Sequence, residues 1–322
     1  MKALLTGATG FVGRHLVNAL LRRGDTVTAL IRSPQKAQEI ADLGVRLIKG
    51  DLDDLTAMAR ACEGQDVVHH VAGLVAALSE AEFLRVNRDG TRALLDAATQ
   101  AGCGRFVLVS SAAAGGPSQP GIPLKGDEPP HPVTVYGRSK LAGEEVVRGG
   151  KIPWTIVRPP AVYGPGDREL LRVFKLARLG IAPVFGGGRQ ELSLVYGPDL
   201  GEALAAAGHA PDAAGKIYYA CHPEIVTSGA MVREIGRVMG KSVRLLPLPA
   251  LLANGILTVT GAAAHLTGKA TLLTRDKAHE FLAPAWTVDP ARLAADTGWR
   301  AEHDLHAGVK ETLEWYRAHQ WL

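Results

Sequence analysis

The stretch LLTGATGFVG, residues 4–13, runs from apolar residues into Gly7, Gly10 and Gly13, placed three apart ahead of the amphipathic run FVGRHLVNALLRRG. A strand, turn and helix of this kind leaves few options for the rest of a chain. A glycine at the turn permits a tight backbone path, a second lets the main chain approach a pyrophosphate, and a third lets helix pack closely on strand. The amides that open the following helix then face the phosphates. The candidate phosphate-binding turn comprises Gly7, Thr9, Gly10, Phe11, Val12 and Gly13. Its spacing is GxxGxxG rather than GxGxxG, so the glycines by themselves also suit a turn with no ligand.

The residues after this turn keep a matching alternation. KALLTG, TVTALIR, VRLIKGD, DVVHHVAG and RFVLVSS read as strands, and the first four are each followed by a helical stretch, NRDGTRALLDAATQAG among them. Near-continuous apolar strands separated by helices predict an α/β fold with a doubly wound parallel Rossmann sheet covered on both faces. A Pro-rich loop over 115–132 interrupts the pattern before the helix VYGRSKLAGEEVVRGG and the strand WTIVRPP. Beyond Gly164 the alternation weakens into a mainly helical region, while ELSLVYGPDLGEALAAAGHA and GKIYYACH read as a helix and a strand returning to the first domain. The expected division is a dinucleotide-binding domain over 1–165 with 190–222 returning to it, and a smaller, mainly helical substrate lobe of 166–189 and 223–322.

In dinucleotide folds the end of the second strand faces the adenosine ribose, where an acid selects a free 2′-hydroxyl and a basic residue accommodates a 2′-phosphate. Here TVTALIR ends in Arg32, with Lys36 shortly after, which points to NADP(H) over NAD(H). Asp51, closing the third strand with Leu52 beside it, is the candidate for the adenine edge. Ala72 and Gly73, after the fourth strand, let a cofactor pass near the backbone.

YGRSK places Tyr136 and Lys140 four residues apart at the start of a helix, on one face. An ammonium beside a phenol stabilises the phenolate, so the tyrosine pKa is expected to fall and Tyr136 to pass a proton to or from a substrate oxygen. Ser110 and Ser111 end the fifth strand, where a hydroxyl can hold the same oxygen while hydride moves to or from the adjacent carbon. YxxxK is common by chance. Its place after a glycine turn and a strand ending in two serines gives it weight.

The order TGATGFVG, DL at Asp51, HVAG, VNRDGT, LVSS, YGRSK and RPPAVYGPGD resembles an extended short-chain dehydrogenase/reductase of the NAD-dependent epimerase/dehydratase superfamily, over nearly the whole chain. The C-terminal stretch from Trp286 is similar to dihydroflavonol-reductase-like and hydroxysteroid-dehydrogenase-like members. The resemblance implies an oxidoreductase with Tyr136 as general acid/base, Lys140 as its partner that also bonds the nicotinamide ribose, and Ser111, better spaced than Ser110, as donor to the substrate oxygen. It implies that Asn87 lies near the cofactor, that Pro159, Pro160, Ala161 and Val162 pass the nicotinamide carboxamide, and that a homodimer forms on the helix carrying Tyr136. The chain also departs from the family pattern. SSAAAGG stands where members often carry SSxxVYG, Pro159 and Pro160 where nucleotide-sugar enzymes have an asparagine, and Arg189 is poorly spaced to Asp199 for holding a diphosphate. These departures favour reduction of a carbonyl, or oxidation of a secondary alcohol, on a mainly apolar small molecule. A nucleotide-sugar epimerase or dehydratase is the alternative, and a dinucleotide-binding protein without catalysis, which has no need of both Tyr136 and Lys140, is the third.

Composition bounds the remainder. Over 322 residues the net charge is +4, with 47% hydrophobic and 21% charged residues, ordinary for a soluble globular protein and short of a nucleic-acid binder. Cys62, Cys103 and Cys221 form no CxxC pair, so neither a disulfide framework nor a metal site is expected, and a reducing cytoplasm is the simpler home. His69 and His70 have no carboxylate or cysteine at ligand spacing and read as strand and pocket residues. Asp127 and Glu128 read as loop charges, and Tyr163 and Tyr196 as core or cleft residues. Residues 245–268, LLPLPALLANGILTVTGAAAHLTG, carry no charge, but prolines and glycines break them short of the roughly 20 apolar residues of a span. They read as a buried or lid helix, with contact at a membrane surface as the second reading. An uncharged lid around residues 248–257 suits a hydrophobic substrate.

Overall fold

The computed structural model describes residues 1–272 and 274–322. Among these, seven strands form the central sheet: β1 (Lys2–Thr6), β2 (Thr26–Ile31), β3 (Arg46–Lys49), β4 (Val67–His70), β5 (Arg105–Val109), β6 (Trp154–Arg158) and β7 (Lys216–Tyr219). Their order is β3-β2-β1-β4-β5-β6-β7, and every pairing is parallel. The chain builds outward from β1 to β3, then crosses back to lay β4 on the other side of β1. Loops at the carboxyl ends of β1 and β4 therefore diverge, leaving the crevice in which doubly wound sheets bind ligands.

Both faces of the sheet are covered because successive strand residues are apolar. Leu5 enters the core formed with the helices Phe11–Arg22 and Gly197–His209, alongside Leu16, Leu20, Leu200 and Leu204. Its neighbour Leu4 enters the opposite core, with Met58, Leu94, Phe106 and Val147 from the helices Leu55–Cys62, Thr91–Gln100 and Val135–Arg148 and from β5. Each such leucine contributes about 1.5–3 kcal/mol by leaving water.

Two local readings change. ELSLVYGPDLGEALAAAGHA divides into the strand Glu191–Tyr196 and the helix Gly197–His209. The strand pairs with Ala161–Tyr163, Ile225–Thr227 and Ala285–Trp286 in a second sheet, and Arg244–Pro247 pairs in parallel with Ile181–Val184. The region after Gly164 therefore holds more strand than a mainly helical reading allows; these strands are three to six residues or shorter still, too brief to show a period in sequence. The second change lies in NRDGTRALLDAATQAG, where Arg85–Gly90 is π-helical before the α-helix Thr91–Gln100 begins. The apolar segment forms the helix Ala250–Thr267, and among the described residues no helix is long and apolar enough to cross a membrane.

Candidate active site

The glycine turn sits at the carboxyl end of β1. Gly7 has φ +76°, a left-handed conformation, and a Cβ there would stand 2.7 Å from Ala72 N. A Cβ on Gly13 would stand 2.1 Å from Gly7 O, so any larger residue separates the helix Phe11–Arg22 from the turn. Gly10 caps that helix without a side chain, and its N–H donates to Gly7 O at 2.9 Å. The first amides of the helix are thus left with no side-chain acceptor. Thr9, Phe11 and Val12 line the turn half-buried. Arg32 and Lys36 are exposed just beyond β2 and form no ion pair among the described residues. Asp51 is exposed and accepts from Asp53 N at 3.0 Å, with Leu52 half-buried beside it.

A buried relay joins this turn to the next loop. Ala72 N–H donates to Thr6 Oγ1 at 3.3 Å, and Thr6 Oγ1 lies 2.7 Å from His70 Nδ1. On the other edge of the ring, His70 Nε2 is 3.0 Å from Thr91 Oγ1, which itself donates to Asn87 O at 2.7 Å. Thr91 has spent its proton on Asn87, so it must accept from Nε2–H, and Nδ1 must accept from Thr6. This fixes one neutral tautomer of His70. Burial agrees, holding the imidazole pKa down at about 3, with the Lys140 ammonium adding to the effect. Asn87 ties the loop down from its side chain, accepting from Leu74 N at 2.8 Å and donating to Leu74 O at 3.0 Å and Ser139 Oγ at 2.9 Å. The π-helical turn gives Asn87 the extra backbone rotation to face that loop.

Tyr136 and Lys140 lie on the helix Val135–Arg148, which Thr134 caps by accepting from Gly137 N at 3.1 Å. Lys140 is buried, its Nζ donates to Val109 O at 2.7 Å, and burial draws its pKa down to about 8. A Cβ on Gly73 would lie 3.6 Å from the same Nζ, which brings the loop after β4 against the lysine. The two serines part company. Ser110 Oγ donates to Glu144 Oε1 at 2.5 Å, and Glu144 forms a buried ion pair with Arg158 at 2.6 Å. Ser111, whose Oγ accepts from Ala113 N at 3.1 Å, pulls the Tyr136 phenol pKa down, yet burial dominates and pushes it up to about 12. The expected fall of that pKa is therefore reversed: desolvation outweighs the neighbouring groups, and the Lys140 proton is directed at Val109.

Two further groups reach Tyr136 from the far end of the chain. Lys277 Nζ stands 4.5 Å from the centroid of the Tyr136 ring and is paired with Glu280 at 2.6 Å. Glu280 accepts from Thr134 Oγ1 at 2.6 Å, and Asp276 accepts from Val135 N at 3.0 Å. Two carboxylates thus meet the N-terminus of the helix Val135–Arg148, where the macrodipole favours negative charge. Neither Lys277 nor Glu280 was legible as a site residue, since nothing in RDKAHEF carries a recognisable spacing. Glu144 and Arg158 were equally silent: Arg158 is the lone charge of its strand, but Glu144 is one of five charged residues in its helix.

The remaining candidates have structural partners. Pro159 is buried and its carbonyl accepts from Ala112 N at 2.9 Å, while Val162 packs against the first core. Tyr163 and Tyr196 lie in the core beneath the C-terminal helix Leu305–Ala318. Glu128 closes its own loop by accepting from Lys125 N and Gly126 N, and Asp127 pairs with Arg292. Asp199 accepts from Glu302 N and His303 N, so it is engaged away from Arg189. Arg189 instead lines a cavity of about 340 Å³ with Phe185, Gln190 and Phe281, which Tyr136 does not reach.

Comparison with known proteins places this geometry. The chain matches the model of the NAD dependent epimerase/dehydratase family over residues 3–221. It is 37% identical over 334 aligned residues to a ceramide reductase of Caulobacter vibrioides, covering 99% of this chain and 95% of that one. It is 31% identical to the 4-hydroxy-2-methyl-3-oxo-4-farnesyl-3,4-dihydroquinoline-1-oxide ketoreductase of Stigmatella aurantiaca, covering 83% of this chain and 79% of the relative. The UDP-glucose 4-epimerase of Thermus thermophilus, solved in complex with NAD, superposes with a TM-score of 0.79 at 24% identity, covering 98% and 99%, a likeness of fold. With a glycine turn at the switch point, serine, tyrosine and lysine gathered beside it, and these relatives, the chain belongs to the NAD dependent epimerase/dehydratase family as an extended short-chain dehydrogenase/reductase, an NAD(P)-dependent oxidoreductase.

Proposed function

We propose that the protein is an NADP-dependent reductase or dehydrogenase that interconverts a carbonyl and a secondary alcohol on a mainly apolar small molecule. The observation that carries this reading is the convergence of Ser111, at the end of β5, on the helix that carries Tyr136 and the buried Lys140, whose Nζ donates to Val109 O of the same strand. The turn fits a dinucleotide: its close approach to Ala72 excludes side chains, and the helix behind it presents uncapped amides. Gly7, Thr9, Gly10, Phe11, Val12 and Gly13 would hold the pyrophosphate. Arg32 and Lys36, unpaired and exposed, would meet a 2′-phosphate, and Asp51 with Leu52 the adenosine end. Ala72, Gly73, Asn87, Pro159 and Val162 would flank the nicotinamide half.

A bound nicotinamide supplies or accepts hydride at its C4. In the reductive direction Ser111 and Tyr136 hold the substrate oxygen by two hydrogen bonds, and Tyr136 gives its proton to that oxygen as the carbon becomes an alcohol. The raised phenol pKa suits this role, because the group stays protonated until the oxygen demands the proton. Lys140, buried on the same helix face with Nζ on Val109 O, would bond the nicotinamide ribose. Residues 166–189 and 223–322 would form the substrate lobe, and a homodimer on the helix Val135–Arg148 and a cytoplasmic home complete the reading.

The apolar substrate is supported by the names of the ceramide and farnesyl-quinoline reductases to which the chain is similar. A nucleotide-sugar epimerase is the alternative, and the engagement of Asp199 by the backbone at 302 and 303 speaks against it. The test is NADPH consumption against long-chain ketones, sterols and nucleotide sugars, repeated with Tyr136→Phe. The expected loss of turnover in the variant is about 10²–10⁴-fold with cofactor binding retained. Unchanged turnover, or activity on nucleotide sugars alone, overturns the reading.

A further inference from the structure

The helix Ala250–Thr267 buries one side and exposes another. Among its described side chains Leu257 and Ala264 are 1% and 7% exposed, whereas Leu252, Val259 and Leu266 are 58%, 70% and 89% exposed. At about 100° per residue, Leu252, Gly255, Val259, Ala263 and Leu266 fall on one stripe, and Leu257 with Ala264 on the opposite side. The stripe bears no charge.

The sequence on either side of it carries cations. Residues 235–275 contain Arg237, Lys241, Arg244, Lys269 and Arg275 and neither Asp nor Glu. Arg237 is paired with Glu234, but Lys241, Arg244, Lys269 and Arg275 are exposed and form no ion pair among the described residues. Leu246 and Pro247, on the strand leading into the helix, extend the exposed apolar surface. An apolar ridge whose flanking sequence supplies four exposed cations with no ion-pair partner among the described residues matches an anionic bilayer: the ridge enters the headgroup boundary and the cations meet lipid phosphates.

We propose that this helix docks the protein flat on the surface of an anionic phospholipid membrane. No helix among the described residues is long and apolar enough to cross a membrane, so the attachment is peripheral and reversible. A second copy of the chain would cover the ridge equally well by shape, but the unpaired cations around it would then face their own kind. The docking goes beyond the proposed reaction and does not depend on it, since it is measured without turnover.

The experiment is co-sedimentation of the full-length protein with phosphatidylcholine vesicles and with vesicles of phosphatidylcholine and phosphatidylglycerol, at low and high salt. Binding to the mixed vesicles is expected, weakened by salt and by the double variant Arg244→Glu/Lys269→Glu. Leu266→Glu and Val259→Glu should each lower partitioning by about tenfold or more, while thermal melting and NADPH titration stay as in the wild type. The milder Leu266→Ser keeps the test valid if a glutamate variant fails to fold. Failure of the wild type to bind mixed vesicles overturns the proposal, as do variants that bind as it does. So does a wild-type dimer that Leu266→Glu converts to monomer without any vesicle binding.

Discussion

Two regions meet at the carboxyl edge of the sheet, and they are held in place differently. At residues 7–13 the decisive contacts lie within the turn, or at Ala72 on the adjacent strand's loop. At residues 275–282 the contacts that set Lys277 over Tyr136 span 141 residues to Val135 and 146 to Thr134. The first region is determined by backbone geometry that only glycine satisfies, and the second by charges that become neighbours through folding alone. A change in the turn should therefore act on cofactor binding and stability together, whereas a change in the distant segment should alter proton chemistry and leave the fold intact.

The sharpest test of the turn is Gly13→Ala. Its methyl group would overlap Gly7 O, and overpacking of about 1–3 kcal/mol corresponds to a loss of about 5–150-fold in NADPH affinity if the strain is released by opening the turn. Titration and thermal melting should both register it; a variant that binds and melts like the wild type breaks the comparison on that side. Arg32→Asp is expected to have an effect of similar size. Losing a charge-assisted contact to a 2′-phosphate costs about 1.5–3 kcal/mol, so NADPH should bind roughly tenfold or more weakly and NADH should gain in relative terms. Equal loss for both cofactors would mean that Arg32 does not sense the phosphate.

The distant segment is probed by two substitutions of opposite sign. Lys277→Met removes a cation from the Tyr136 ring and leaves Glu280, whose charge raises the phenol pKa, so the pKa rises further. Glu280→Gln removes that charge and lowers it. The two substitutions therefore move the phenol pKa in opposite directions. In the reductive direction kcat/KM declines above the phenol pKa, so the alkaline limb should move up for Lys277→Met and down for Glu280→Gln. Identical profiles for the two variants would show that the segment does not tune the proton.

The smallest effect at neutral pH is expected far from the crevice, at His69. Both ring nitrogens are buried without a hydrogen-bond partner, and burial lowers the pKa from 6.5 to about 3. The folded state therefore keeps this imidazole neutral while the unfolded chain protonates it. Its contribution to stability is complete above pH 6.5 and is lost as pH falls towards 3. His69→Leu should flatten the acid side of the stability curve by up to about 1.4 kcal/mol per pH unit and stabilise by about 1 kcal/mol at neutral pH. Melting curves between neutral and mildly acid pH measure both, and an unchanged acid slope would remove His69 from the account.

Much of the crevice was legible before folding, for reasons visible in particular residues. Gly7, Gly10 and Gly13 announced a turn because their spacing is local, and all seven central strands appeared as apolar runs between helices. Tyr136 and Lys140 were visible as a helical pair, but not the direction of the tyrosine pKa, which burial reverses. Glu191–Tyr196 reads in sequence as part of the helix after it, because its strand character comes from partners at 161–163, 225–227 and 285–286.

By itself, then, the sequence determined the doubly wound sheet, the glycine turn after β1 and the placing of Tyr136 and Lys140 on one helix. Each rests on hydrophobic period, helical spacing or the absence of a Cβ, all properties of residues close along the chain. Only the tertiary structure decided that Ser110 is engaged by Glu144 while Ser111 faces Tyr136, that His70 is held in one neutral tautomer, and that Lys277 and Glu280 crown the phenol. These depend on which distant groups share a low-dielectric interior, where desolvation and a few ångströms of separation govern charge and proton.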